Sequence, residues 1–215
     1  MVKVTRNYTL RSLNEFEIGL ERYYSQEALE AIRNTVIGIA GCGGLGSNCA
    51  IMLARCGFRN FIIVDCDVVE PSNLNRQHYF IHQIGIPKVE ALLEVLRRVN
   101  PDISVEFYHQ RVNENNIQEL FSDAYVLVEA FDSTIAKQMF YEAFHNDKRC
   151  RIMASGIAGF GHSDEIITRC LSYNCYIVGD ETRDIKQEVP LAPRVTIAAA
   201  KQADIVLSHV LKNLD

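Results

Sequence analysis

No stretch of this 215-residue chain is apolar for long enough to span a membrane, and its first residues, Met-Val-Lys-Val-Thr-Arg-Asn-Tyr, lack the apolar core of a signal peptide. These absences make a cytoplasmic location, with no membrane partner, the expectation. Basic residues are scarce relative to acidic ones, 22 against 27, for a net charge of −5. Without a Lys/Arg run there is no patch to track a phosphate backbone, so nucleic acid is not an expected partner. Small nucleotides are not excluded, because they need only a few placed cations and backbone amides. None of the seven cysteines forms a C-x-x-C pair, and their number is odd. A zinc site and a disulfide framework are both unexpected, and most of the thiols read as small core residues. There is no internal repeat or low-complexity linker. At 48% hydrophobic and 23% charged, residues 1–215 read as one globular unit.

Strand-type and helix-type patterns alternate along most of that unit. After an extended start, residues 14–33 read as one amphipathic helix within an N-terminal segment, 1–34. A core spanning 35–150 follows, with strands at 35–40, 61–65, 103–109 and 124–130 and helices at 44–57, 88–99, 114–121 and 133–146. Alternation of this kind predicts an α/β fold: a Rossmann-like, mostly parallel sheet with helices on both faces. Residues 151–215 change character. Runs at 151–158 and 165–178 predict an antiparallel extension turning around Gly159–Gly161. A polar crossover with Pro190 and Pro193 then leads to a last helix over about 195–212. Cys42, Cys49 and Cys56 recur every seven residues and are expected to share one buried face of the helix after the first strand.

The densest functional signal is Val36-Ile-Gly-Ile-Ala-Gly-Cys-Gly-Gly-Leu-Gly46. An apolar strand empties into a glycine turn in which Gly41, Gly43 and Gly46 keep the G-x-G-x-x-G spacing, with Gly44 beside them. Glycine permits the tight turn and a close backbone approach to phosphate, and the next helix offers its positive end. Asp65 ends the second strand, where an acid can accept hydrogen bonds from ribose hydroxyls. A nicotinamide-dependent dehydrogenase would account for these features equally well.

Four further segments separate the possibilities. Asp65-Cys-Asp67 runs into Ser72-Asn73-Leu-Asn-Arg76-Gln77, a polar cluster at a strand's carboxyl end in which Arg76 offers a planar fork of donors. Gly85-Ile-Pro-Lys88 opens a helix at the end where a cation is disfavoured, unless an anion compensates. Asp132, after another strand, is either a hard oxygen ligand for Mg²⁺ or, with Ser133, a helix cap. Arg22 lies far upstream on the first helix and by itself reads as an exposed helical arginine.

Together, Gly41-Cys-Gly-Gly-Leu-Gly-Ser47, Asp65-x-Asp67, Ser72-Asn-Leu-Asn-Arg-Gln77, Gly85-x-Pro-Lys88 and Phe131-Asp132 resemble the ThiF/MoeB/HesA adenylyltransferases, bacterial relatives of ubiquitin-activating enzymes. Pro193-Arg-Val195 and Ala198–Ala203 look like a short thiamine-type ThiF branch. The resemblance implies ATP-dependent adenylation of the C-terminal Gly-Gly carboxylate of a ubiquitin-fold sulfur carrier, with release of pyrophosphate, in thiamine biosynthesis. Asp65 would hold ribose; Asn73, Arg76 and Lys88 would bind phosphates, with the glycine turn, Asp67 and Gln77 completing the nucleotide-binding set. Asp132 would ligate Mg²⁺, and Arg22 would reach the γ-phosphate of a neighbouring subunit, implying a homodimer.

Two departures limit what is carried over. Arg22-Tyr-Tyr-Ser25-Gln26 stands where the family often has Arg-x-x-Arg-Gln. No cysteine occupies the crossover before the last helix, which implies adenylation without a thioester step and sulfur delivered by another protein. The alternatives are the same chemistry on a molybdopterin-synthase carrier or a small carboxylate, a non-catalytic scaffold, and a nicotinamide oxidoreductase. The last is disfavoured because nothing resembles a hydride-transfer acid/base pair.

Overall fold

A computed structural model describes residues 13–183 and 188–214. The extended start and the middle of the polar crossover lie outside the described residues. Seven strands share one sheet: β1 (Val36–Ala40), β2 (Asn60–Asp65), β3 (Ser104–His109), β4 (Val126–Glu129), β5 (Cys150–Ala154), β6 (Ile167–Ser172) and β7 (Cys175–Gly179). Their order is β3-β2-β1-β4-β5-β7-β6, and every pairing but β6–β7 is parallel. The helices are α1 (Glu15–Leu20), α2 (Gln26–Asn34), α3 (Gly44–Arg55), α4 (Lys88–Val99), α5 (Ile117–Leu120), α6 (Thr134–Phe144) and α7 (Ala192–Lys212).

The central strand shows why this sequence makes a doubly covered sheet. β1 is buried along its whole length, as a parallel strand roofed on both faces must be. Alternate residues serve alternate faces. Ile37 and Ile39 join Ile63 and Val128 in a core closed by Cys49, Leu53, Leu92, Leu96, Ala199 and Val206 of α3, α4 and α7. Val36 and Ala40 join Val64 and Leu127 against Ile117, Phe121 and Phe140 beside α5 and α6. Gly38 leaves room for this second layer: a Cβ there would stand 2.8 Å from Phe121 Cδ1 and 2.9 Å from Ala124 Cβ.

Three expectations are corrected. The helix read over 14–33 is two helices, because Ser25 caps a new one, its hydroxyl oxygen accepting the Ala28 N–H at 3.2 Å. Arg22 therefore stands in the intervening turn. The antiparallel hairpin turns at Tyr173–Asn174, where Asn174 has φ 53°, and joins β6 to β7; β5 pairs parallel with β7. Gly159–Gly161 instead form a loop beyond β5. Cys42 sits in the glycine turn ahead of α3 instead of on its face, although Cys42 and Cys49 are both fully buried. The last helix begins at Ala192, with Pro193 in its first turn where no N–H is missed.

Candidate functional site

The strand order reverses between β1 and β4, and the crevice at their carboxyl ends is where an open α/β sheet takes its ligand. Gly41 turns the chain there with φ 101°, and its α-carbon region lies so close to β4 that a Cβ would meet the Ala130 carbonyl oxygen at 2.7 Å. Gly46, in the first turn of α3, packs on the carbonyl of Gly41; any side chain there would overlap that oxygen. These two contacts press the start of α3 against the sheet edge. Cys42 becomes fully buried, and burial raises its thiol pKa far above the ordinary value, so it is no nucleophile.

Asp65, at the end of β2, reaches across to this turn. Its carboxylate accepts the Cys42 N–H at 2.6 Å and the Asp67 N–H at 2.8 Å. Burial raises its pKa, and those two N–H groups pull the other way. The segment after β2 folds back as two short 3-10 turns, Pro71–Asn73 and Ile81–Gln83, which carry the polar cluster over the glycine turn. Asn73 is buried and its side-chain oxygen accepts the Glu70 N–H at 3.0 Å, so part of its hydrogen-bonding capacity serves the loop itself. Arg76 is half-buried, with Cγ 3.5 Å from where a Cβ on Gly44 would stand, and its guanidinium donates to Ser72 O and Asn75 Oδ1. Gln77 lies 3.8 Å from the Cβ position of Gly43, and its buried Oε1 has no hydrogen-bond partner.

Lys88 is the first residue of α4 and is buried. Its ammonium donates to Asp67 Oδ2 at 2.8 Å, so the anion that compensates for its helix position comes from the protein. Burial works against that charge, and the Asp67 hydrogen bond together with the nearby Asp65 and Asp67 charges outweighs it, raising the Lys88 pKa; the same bond lowers that of Asp67. Asp132 is exposed, and among the described residues its side chain has no hydrogen bond or ion pair. Ser133 holds the N-cap position of α6 without a side-chain cap bond, so Asp132 is not consumed by capping. Its free carboxylate has the hard oxygens that Mg²⁺ takes.

The loops after β1, β2 and β4 and the start of α4 thus meet at one crevice, bringing the glycine turn together with Asp65, Asp67, Asn73, Arg76, Gln77 and Lys88; Asp132 follows by two residues Ala130, whose carbonyl lies against Gly41. Arg22 is not among them. Its turn packs where α3 ends, with Leu20 Cδ1 2.9 Å from the Cβ position of Gly57, at the amino edge of the sheet. The length of α3, about 18 Å for 12 residues, separates it from the glycine turn. A polar surface depression of about 420 Å³, which includes Gln118, Glu142, Asp147 and Arg149, also shares no residue with the crevice.

Three features went unread in the sequence. Tyr79 is buried, and its hydroxyl lies 2.7 Å from Cys42 O and 3.3 Å from Lys88 O, joining the glycine turn to α4. Glu129 is fully buried at the end of β4, where it accepts the Phe131 N–H at 2.7 Å and pairs with Lys137 at 2.9 Å. Arg194 is buried at the start of α7 and ties the crossover down through Asp180 and the carbonyls of Gly161 and His162. Asn75 Nδ2 donates to Pro190 O at 3.3 Å, and Val195 packs on Gly44. The crossover therefore borders the crevice. A charged side chain signals burial in sequence only when its partner is known, and these partners lie 8 to 37 positions away.

Fold and crevice define a Rossmann-like α/β protein with its polar loops gathered at the switch point of the sheet. The chain belongs to the ThiF family, whose model matches residues 17–214. It is 37% identical over 106 residues, 49% of its length, to ubiquitin-like modifier-activating enzyme 5 of Xenopus laevis. It is 31% identical over 152 residues, 66% of its length, to the enzyme of that name from Drosophila pseudoobscura pseudoobscura. These matches span 27% and 38% of the two relatives, so the chain corresponds to well under half of each. Among solved structures, the E. coli tRNA N6-threonylcarbamoyladenosine dehydratase TcdA in complex with AMP superposes with a TM-score of 0.82 at 21% identity, covering 91% of this chain and 94% of that one. E. coli MccB with AMPCPP and MccA gives 0.68 at 21% identity, covering 86% and 58%. At those identities the shared property is the fold. Among the described residues, no helix is long and apolar enough to cross a membrane.

Proposed function

We propose that this chain binds ATP and adenylates the terminal carboxylate of a ubiquitin-fold protein ending in Gly-Gly. A carboxylate oxygen attacks the α-phosphorus, the bond from that phosphorus to the bridging oxygen breaks, and pyrophosphate leaves with the electron pair. The observation that carries this reading is the meeting of Arg76 and Lys88 with the glycine turn in one crevice.

Each residue's proposed part follows from its place. Gly41, Gly43, Gly44 and Gly46 let the start of α3 approach the phosphates, where its N–H groups point outward. Asp65 accepts from ribose with the lone pairs its two N–H contacts leave free. Arg76 and Lys88 oppose the charge that builds on the attacked phosphorus and on pyrophosphate, while Asn73 and Gln77 orient the oxygens. Asp132 would hold Mg²⁺, which when bound neutralises phosphate charge. Arg22, remote from its own crevice, would serve that of the partner subunit in a homodimer.

The thiamine-type sulfur carrier is the acceptor that the sequence resemblance favours. A second acceptor, a ubiquitin-like modifier, is supported by the 37% identity to the modifier-activating enzyme. Carrier-dependent exchange of labelled pyrophosphate into ATP tests both. Exchange with one carrier names the acceptor. ATP binding with no exchange on any Gly-Gly carrier would sink the activity and leave a nucleotide-binding scaffold.

A further inference from the structure

Lys88 carries its charge where the dipole of α4 disfavours it, with only 7% of its side chain exposed. A buried ammonium needs a counter-charge. Its partner is Asp67, whose side chain is 59% exposed. The backbone fixes the pair as well. Lys88 N–H donates to Asp67 O at 2.9 Å and Val69 N–H to Ile86 O at 2.9 Å, closing the base of the loop that carries Asn73, Arg76 and Gln77. Tyr79 then holds Lys88 beside Cys42 of the glycine turn.

We propose that Asp67 is a positioning residue that aims Lys88 at the glycine turn and yields the ammonium to the triphosphate when nucleotide binds. The inference rests on the reading of Lys88 as a phosphate-binding cation. The asymmetry of exposure sets the direction of the exchange. The carboxylate can turn into water and be solvated there, whereas the buried ammonium has no water to return to and must keep an anion beside it. Asp65 stays fixed by the Cys42 and Asp67 N–H groups on its two oxygens, so Asp67 is the carboxylate left to move. Nucleotide binding therefore trades one counter-ion for another. The cost of parting the pair weakens ATP binding, and the gain is a lysine aimed before the substrate arrives.

ATP binding to the full chain by titration calorimetry, read beside pyrophosphate exchange, tests this. Asp67→Asn removes a charge that competes with phosphate, and ATP binding becomes about five-fold tighter. The maximal exchange rate falls about ten-fold, because Lys88 is less well aimed. Asp67→Glu restores the charge and returns affinity to that of the wild type. Combined with Lys88→Met, Asp67→Asn no longer tightens binding. Asp67→Ser repeats the measurement should Asp67→Asn fail to fold. A purely structural residue would lower the melting temperature without tightening ATP binding, and unchanged or weaker affinity in a folded charge-removing variant overturns the proposal. If the wild type binds no ATP, the functional reading itself fails; wild-type binding without tightening removes only this inference.

Discussion

A single methyl group shows how closely the central strand is packed. At Gly38 an added Cβ would sit 2.8 Å from Phe121 Cδ1 and 2.9 Å from Ala124 Cβ, both in the packed layer. Gly38→Ala is expected to cost about 1–3 kcal/mol of stability by urea unfolding, with the slope unchanged. Asp132, exposed, and Arg76, half-buried with its guanidinium on acceptors of its own loop, are the opposite case, side chains whose removal leaves the core alone. Asp132→Ala and Arg76→Ala should abolish pyrophosphate exchange while changing stability by no more than about 0.5 kcal/mol. Near-normal exchange in either would remove that residue from the proposed chemistry. The Asp67–Lys88 pair adds a pH dependence. Asp67 has a lowered pKa in the folded state, so the stability it contributes is present above the ordinary aspartate value of 3.8 and is lost as pH falls through its native value. Lys88 has a raised pKa, so its share is complete below 10.5 and is lost as pH rises through its native value. Melting temperatures measured from pH 2 to 5 should therefore fall less steeply for Asp67→Asn than for the wild type.

Among the elements, α7 does more than close the core. Its first turn packs Val195 on Gly44, and Arg194 reaches back from it to the loop after β5 and to Asp180. Arg194 is 1% exposed and Asp180 4% at the side chain, so neither charge can be left unpaired cheaply. Arg194→Met should destabilise the chain by about 3 kcal/mol in urea unfolding. A loss under 1 kcal/mol would mean that Arg183, also beside Asp180, takes over the pairing. Elements with a clean period were legible in the sequence: β1, β2 and α4 stand within a residue of their expected bounds. Where the period was ambiguous, local polar chemistry decided. Ser25 splits the first helix because its hydroxyl caps a new turn. The continuous run over 165–178 hid a hairpin because Tyr173–Asn174 carries neither glycine nor proline, and the side-chain-tolerant left-handed turn at Asn174 supplies the bend.

At the scale of the whole molecule, Arg22 and the crevice stand at opposite edges of one sheet. If Arg22 acts on phosphate, it does so in another copy. Arg22→Ala and Lys88→Met chains, each inactive alone, should regain exchange when unfolded and refolded together, because a mixed dimer holds one intact site. Absence of recovery, with mixed dimers confirmed by mass, would exclude the trans role. The order of strands brings to one crevice residues as far apart in the chain as Gly41 and Ala130, and it brings the crossover alongside through Asn75 and Pro190.

The sequence by itself determined the α/β class, the glycine turn, and the polar segments that follow the second and fourth strands. All three depend on local rules: side-chain period, turn conformation and the chemistry of neighbouring residues. Only the tertiary structure decided what each charge faces. Lys88 meets Asp67, Glu129 meets Lys137, Arg194 meets Asp180 and Arg22 meets solvent at the far edge, because a side chain's partner is chosen by strand order and packing, which sequence spacing does not encode.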